Sequence, residues 1–225
     1  MIVNREIIMS SVERISNQII ASLKSGRQNL YWQYTTIIGD TVIDFSKDIG
    51  YLAYDFLDTD NRWANHSETI RLISRLRYGV SNDDLRKLVI MVVAEYTKSV
   101  KKSALESLTE KLAKLTGKYF INNILMHDIA SLFTNKIISK IAFNSSLSLA
   151  TTLGGMRSRS IYGARELSKK SPSIYFMLKK EKDLDLLYFM VSEFLDPFVD
   201  AIKLRETDPE GFNKIFINVI NKLSN

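Results

Sequence analysis

Chemistry in this chain has few possible carriers. It has no cysteine and only two histidines, His66 and His127. Thiol nucleophiles, disulfides and the usual structural zinc site are therefore excluded. No Gly-x-Ser-x-Gly elbow or phosphate-cradling loop occurs, since Gly154-Gly155 lacks a following Lys-Ser/Thr. Asp40, Asp44 and Asp48 recur at four-residue spacing, with Asp55 and Asp58 beyond them. On one helical face they would repel unless a cation relieved them, which is the pattern a divalent site would use. A solvated face, or pairing with the basic stretch downstream, fits the same spacing.

That basic stretch is the clearest charge feature. Between residues 157 and 182 stand Arg157, Arg159, Arg165, Lys169, Lys170, Lys179, Lys180 and Lys182, against Glu166 and Glu181, a local charge of +6. Residues 40–60 carry a local charge of −5. We take Arg157, Arg159, Arg165, Lys169, Lys170, Lys179 and Lys180 as a basic face suited to anionic lipid. Interleaved aromatics are few and no nucleic-acid module surrounds the patch, so nucleic acid is not an expected partner. Trp32, with Tyr31 and Tyr34, and Trp63 read as core or interface anchors.

Residues 141–156, IAFNSSLSLATTLGGM, hold no charge in a chain of which 25% is charged. Ala142, Ser146, Ala150 and Gly154 repeat every fourth residue, which on a helix forms a groove of small side chains that admits a close neighbour. Sixteen helical residues rise about 24 Å, short of the roughly 30 Å hydrocarbon core. Half of the stretch is Asn, Ser, Thr or Gly. Any membrane role must therefore be conditional and assembled, with residues 137–156 entering as several copies. The alternative is the centre of a water-soluble bundle.

The elements that position these residues all read as helices. Leu85, Leu88, Val89, Val92, Val93, Tyr96 and Val100 share one face of a helix over 82–101, capped by Asn82 or Asp83. Ser171-Pro172 and Asp208-Pro209 each set a capping residue before a proline at the first helical position. A capping-box pattern at Ser103 and Glu106 starts another helix. Further helices are expected over 5–24, 30–57 with a break near Gly39 or Gly50, 65–78, 118–153 either continuous or broken near Asn135, 158–170, 173–181, 183–205 and 209–223. Leu184 to Leu195 is apolar almost all round, the mark of a buried helix. No segment alternates like a strand. The expectation is an all-α fold, one compact multi-helix bundle over 1–225. The amino terminus, with Glu6 and Glu13 and no continuous apolar core, does not read as a cleavable signal peptide.

Two resemblances sharpen the function classes. Ile124-Leu125-Met126-His127-Asp128-Ile129 is similar to the His-Asp core of the HD phosphohydrolases, an all-α metal-dependent family. That likeness implies His66 as an earlier ligand and Asp185 or Asp196 as a later one. The spacing of 61 residues from one histidine to the other exceeds the usual one, and Ala130-Ser131 replace the Gly-Lys that commonly follows. Over residues 141–202, RSIYGARELSKKSPSIYFMLKKEKDLDLLYFMVSEFLDPFVDAI and the uncharged segment before it resemble the carboxy-terminal part of small antibacterial effectors of type VI secretion, some of them similar to pore-forming toxins. This second likeness rests on packing and charge and transfers no functional residue. It implies a non-enzymatic toxin that acts on a target-cell inner membrane, needs no cofactor, self-associates and is restrained by a cognate immunity protein. The remaining alternatives are an immunity or adaptor protein with a basic interaction face, and the metal phosphohydrolase.

Overall fold

A computed structural model describes residues 2–24, 62–77, 81–101, 103–104, 130–139 and 153–224. Among them every regular element is helical and no strand occurs, so the fold is all-α. The chain divides into two compact units, each drawn from separate stretches: 1–24, 86–141 and 191–225 in one, 25–85 and 142–190 in the other.

In the first unit, α1 (Ile2–Lys24) packs along α7 (Ser192–Thr207) and α8 (Pro209–Ser224), which also pack on each other. Val12, Ile15, Ile19 and Leu23 are buried at three- and four-residue spacing, so one stripe of α1 faces inward. Helix α3 (Asn82–Lys98) buries Leu88, Val89, Val92, Val93 and Tyr96, as the sequence periodicity required. The division between units falls inside α3, after Leu85.

Tyr96 centres an aromatic cluster. Phe198 and Phe212 meet its ring edge-on at 5.3 and 5.4 Å, and Phe216 lies 6.1 Å away. Helix α4 (130–139) adds Phe133, 6.1 Å from Phe198. Edge-to-face pairs satisfy the ring quadrupoles, so this arrangement contributes beyond the area it buries. Polar stitches fix the rest. Asn213 accepts from the Lys101 backbone at 2.9 Å and donates to Pro209 O at 2.6 Å. Arg205 bonds the Ser99 hydroxyl and lies 3.6 Å from Glu95.

The second unit is built from α2 (Arg62–Arg77), α5 (Leu153–Lys170), α6 (Pro172–Lys180) and a 3₁₀ turn, Leu184–Met190. Leu72, Ala164 and Leu186 form a buried cluster, with Tyr175 against it. The α5 backbone approaches the 3₁₀ segment closely at Gly163, where a Cβ would lie 3.1 Å from the Phe189 Cβ.

Beyond shifts of a few residues at helix ends, the structure bears on the sequence expectation at four places. Ser81, rather than Asn82 or Asp83, caps α3: its hydroxyl accepts from the Asp84 N–H at 3.2 Å, and Asp84 Oδ2 accepts from the Ser81 N–H at 2.9 Å. This reciprocal box satisfies two otherwise orphaned donors, which no single cap at 82 or 83 would do. Helix α4 runs unbroken through Asn135, whose amide donates to Ser131 Oγ. Helix α5 begins at Leu153, earlier than residue 158. The helix expected over 183–205 is a 3₁₀ turn followed by a separate α-helix. Lys182 and Asp183 enter that turn with left-handed backbones, φ 53° and 58°, and the Ser160 hydroxyl donates to Leu186 O at 2.6 Å. A left-handed pair is costly for non-glycine residues, and Arg71, which binds Asp183, helps to hold it.

Candidate functional site

The charged residues described in the second unit include two populations. One population is consumed inside. Helix α2 turns Glu68, Arg71 and Arg75 to one face, at three- and four-residue spacing. Arg71 Nη2 binds Asp185 at 2.7 and 2.9 Å, and its Nε binds Asp183 at 2.8 Å. Glu68 pairs with Arg165 at 2.8 Å and Arg75 with Asp84 at 2.5 Å. The Asp185 side chain is 0% exposed. Ile70 and Ile73 of the same helix are exposed, whereas Leu72 is buried.

Electrostatics follow from this geometry. Burial disfavours the Arg71 charge, but Asp185 and Asp183 outweigh it and keep the guanidinium protonated above its ordinary value. Complete loss of hydration pushes the Asp185 carboxyl up, against the pull of Arg71. Burial also opposes ionisation of Asp84, yet the Ser81 hydrogen bonds and Arg75 lower it below 3.8.

The other population faces water on the α5–α6 hairpin. One residue, Ser171, joins the two helices; Pro172 opens α6, and the Ser171 hydroxyl pairs with Ser173 Oγ at 3.2 Å instead of capping. Lys169 and Lys180, both expected in the basic face, are exposed, and the exposed Lys182 joins them. Glu166 is the exposed acid of this stretch, Glu181 being half-buried. Arg165 is withdrawn to Glu68 and lies over the Tyr162 ring at 5.4 Å. Lys179 donates to the Tyr175 hydroxyl at 3.1 Å and covers its ring at 5.3 Å. Arg159 and Lys170 are half-buried. Gly154 and Arg157 lie on the first turns of α5, where only the backbone is described. Ala142, Ser146 and Ala150 lie outside the described residues, as do Asp40, Asp44, Asp48, His127 and Asp128.

Sequence reasoning missed Phe176. Its side chain is 56% exposed between Lys169 and Lys180 in the sequence, with Tyr175 against its ring at 5.2 Å. The signal was present in α6: Ile174 and Leu178 are buried four residues apart, leaving position 176 on the opposite side. Asp185, one of the two later ligands implied by the phosphohydrolase likeness, is the ion-pair partner of Arg71. Among the described residues no group of three His, Cys, Asp or Glu converges as a metal site, and no helix is long and apolar enough to cross a membrane.

No family model matches this chain, and no match is found among curated proteins or solved structures.

Proposed function

We propose that this chain is a membrane-acting antibacterial effector that works without enzymatic chemistry, held to the anionic inner membrane of a target cell by the α5–α6 hairpin. The observation that carries the reading is the sorting of charge among the described residues of the second unit. Arg165 and Lys179 are spent on internal partners, whereas Lys169, Lys180 and Lys182 are held out on one short hairpin. Cations near an anionic leaflet contribute about 1 kcal/mol each, within a Debye length of the surface. In this reading residues 137–156, with Ala142, Ser146, Ala150 and Gly154 as the contact groove, supply the assembling element. Its partners are lipid, further copies of the chain and an immunity protein that protects the producing cell.

Expression in a bacterial host tests the proposal. Growth should arrest with collapse of the membrane potential when the chain reaches the inner membrane. Unimpaired growth and potential with the protein present in both cytoplasm and periplasm would contradict it.

A further inference from the structure

We infer that Phe176 and Lys180 form an interfacial anchor that seats the α5–α6 hairpin on an anionic phospholipid bilayer. The inference rests on the membrane reading above and names the residues that touch lipid.

Helix α6 divides cleanly into two faces. Ile174 and Leu178 are buried, while Pro172, Ser173, Phe176 and Lys180 are exposed and fall on one stripe. Nine residues rise about 13 Å, far less than a bilayer, so α6 lies in the interface plane. Tyr175 packs edge-on against Phe176 and Lys179 caps the Tyr175 ring, so neighbouring side chains brace the exposed phenyl group. Lys180 stands one turn beyond. Its alkyl stem can lie along the acyl boundary while the ammonium reaches lipid phosphate, as the ring enters below it. Lys169 and Lys182 extend the positive charge past both ends of the helix.

The size of the stripe favours lipid over protein. A stable protein interface covers about 800 Å² on each partner around a packed centre, whereas four side chains on a nine-residue helix present one aromatic ring and its lysines. An acidic protein partner is the competing occupant.

The absence of cysteine allows a direct test, because Phe176→Cys in the full chain provides a single labelling site. An environment-sensitive fluorophore at position 176 should shift to the blue on mixing with phosphatidylethanolamine–phosphatidylglycerol vesicles, and brominated acyl chains should quench it. The same label at exposed Glu206→Cys should do neither. In the unlabelled protein, Phe176→Ser should weaken sedimentation with vesicles about tenfold, and Phe176→Trp should retain it. Vesicle-bound protein whose 176 label stays in water overturns the anchor and leaves the membrane reading standing. A label that responds to an acidic polypeptide but not to vesicles also overturns it. Failure of the unsubstituted chain to bind these vesicles at low salt removes both proposals.

Discussion

Arg71 donates from a single terminal nitrogen to both carboxylate oxygens of Asp185, at 2.7 and 2.9 Å, across 114 residues of sequence. The same guanidinium reaches Asp183 through Nε. One side chain thereby ties α2 to the turn that carries the left-handed pair Lys182 and Asp183.

Removing Arg71 leaves a fully buried carboxylate without its cation. Arg71→Leu should cost about 3–5 kcal/mol at pH 7. The loss has a defined pH dependence. Burial already raises the Asp185 pKa above its unfolded value, and losing Arg71 raises it further, so folding takes up a proton. The penalty is therefore full above the folded value and shrinks as pH falls toward 3.8. Denaturant midpoints of the variant at pH 7 and pH 5, each against the parent chain, check this; an equal loss at both values contradicts it.

Tyr96 is fully buried, and its hydroxyl has no hydrogen-bond partner among the described residues. Burial raises its pKa far above 10, so the group stays neutral and contributes only a stranded dipole. Tyr96→Phe keeps the edge-on contacts with Phe198 and Phe212 and should stabilise the protein by about 1–3 kcal/mol. Tyr96→Ala removes those contacts and should cost about 3–5 kcal/mol. Thermal unfolding of both variants distinguishes a stranded hydroxyl from one that supports the fold.

Asp84 serves the α3 cap and Arg75 together. Its folded pKa is depressed, so its contribution is present above the unfolded value and is lost as pH falls through the folded one, below 3.8. Asp84→Asn should cost about 1–3 kcal/mol at pH 7. The gap between variant and parent should close in acid, as unfolding curves from pH 6 to pH 3 would show.

The sequence made some of this legible and hid the rest for physical reasons. The Leu85–Val100 spacing gave α3 and its buried face because periodicity is local. The prolines at 172 and 209 marked helix starts for the same reason, and the Asp208 carboxylate does accept from the Gly211 N–H, at 2.8 Å. The split of the 183–205 segment was hidden, since Leu184–Leu195 is apolar on every side and no period betrays a change of helix type. The pairing of Arg71 with Asp185 was hidden by distance along the chain, so Asp185 read equally well as a metal ligand. Charge counting alone does not distinguish Arg165 and Lys179, which bind Glu68 and Tyr175, from the exposed lysines beside them.

Leakage from anionic vesicles is the direct measure of membrane action by this chain. The purified chain should release dye or ions from phosphatidylglycerol-containing vesicles at low salt, and less at high salt or from zwitterionic vesicles. Reversing Lys169, Lys180 and Lys182 to glutamate should abolish release without unfolding the protein. Intact vesicles under every condition, with a folded protein, would contradict the account; so would release by the charge-reversed chain that equals the parent's.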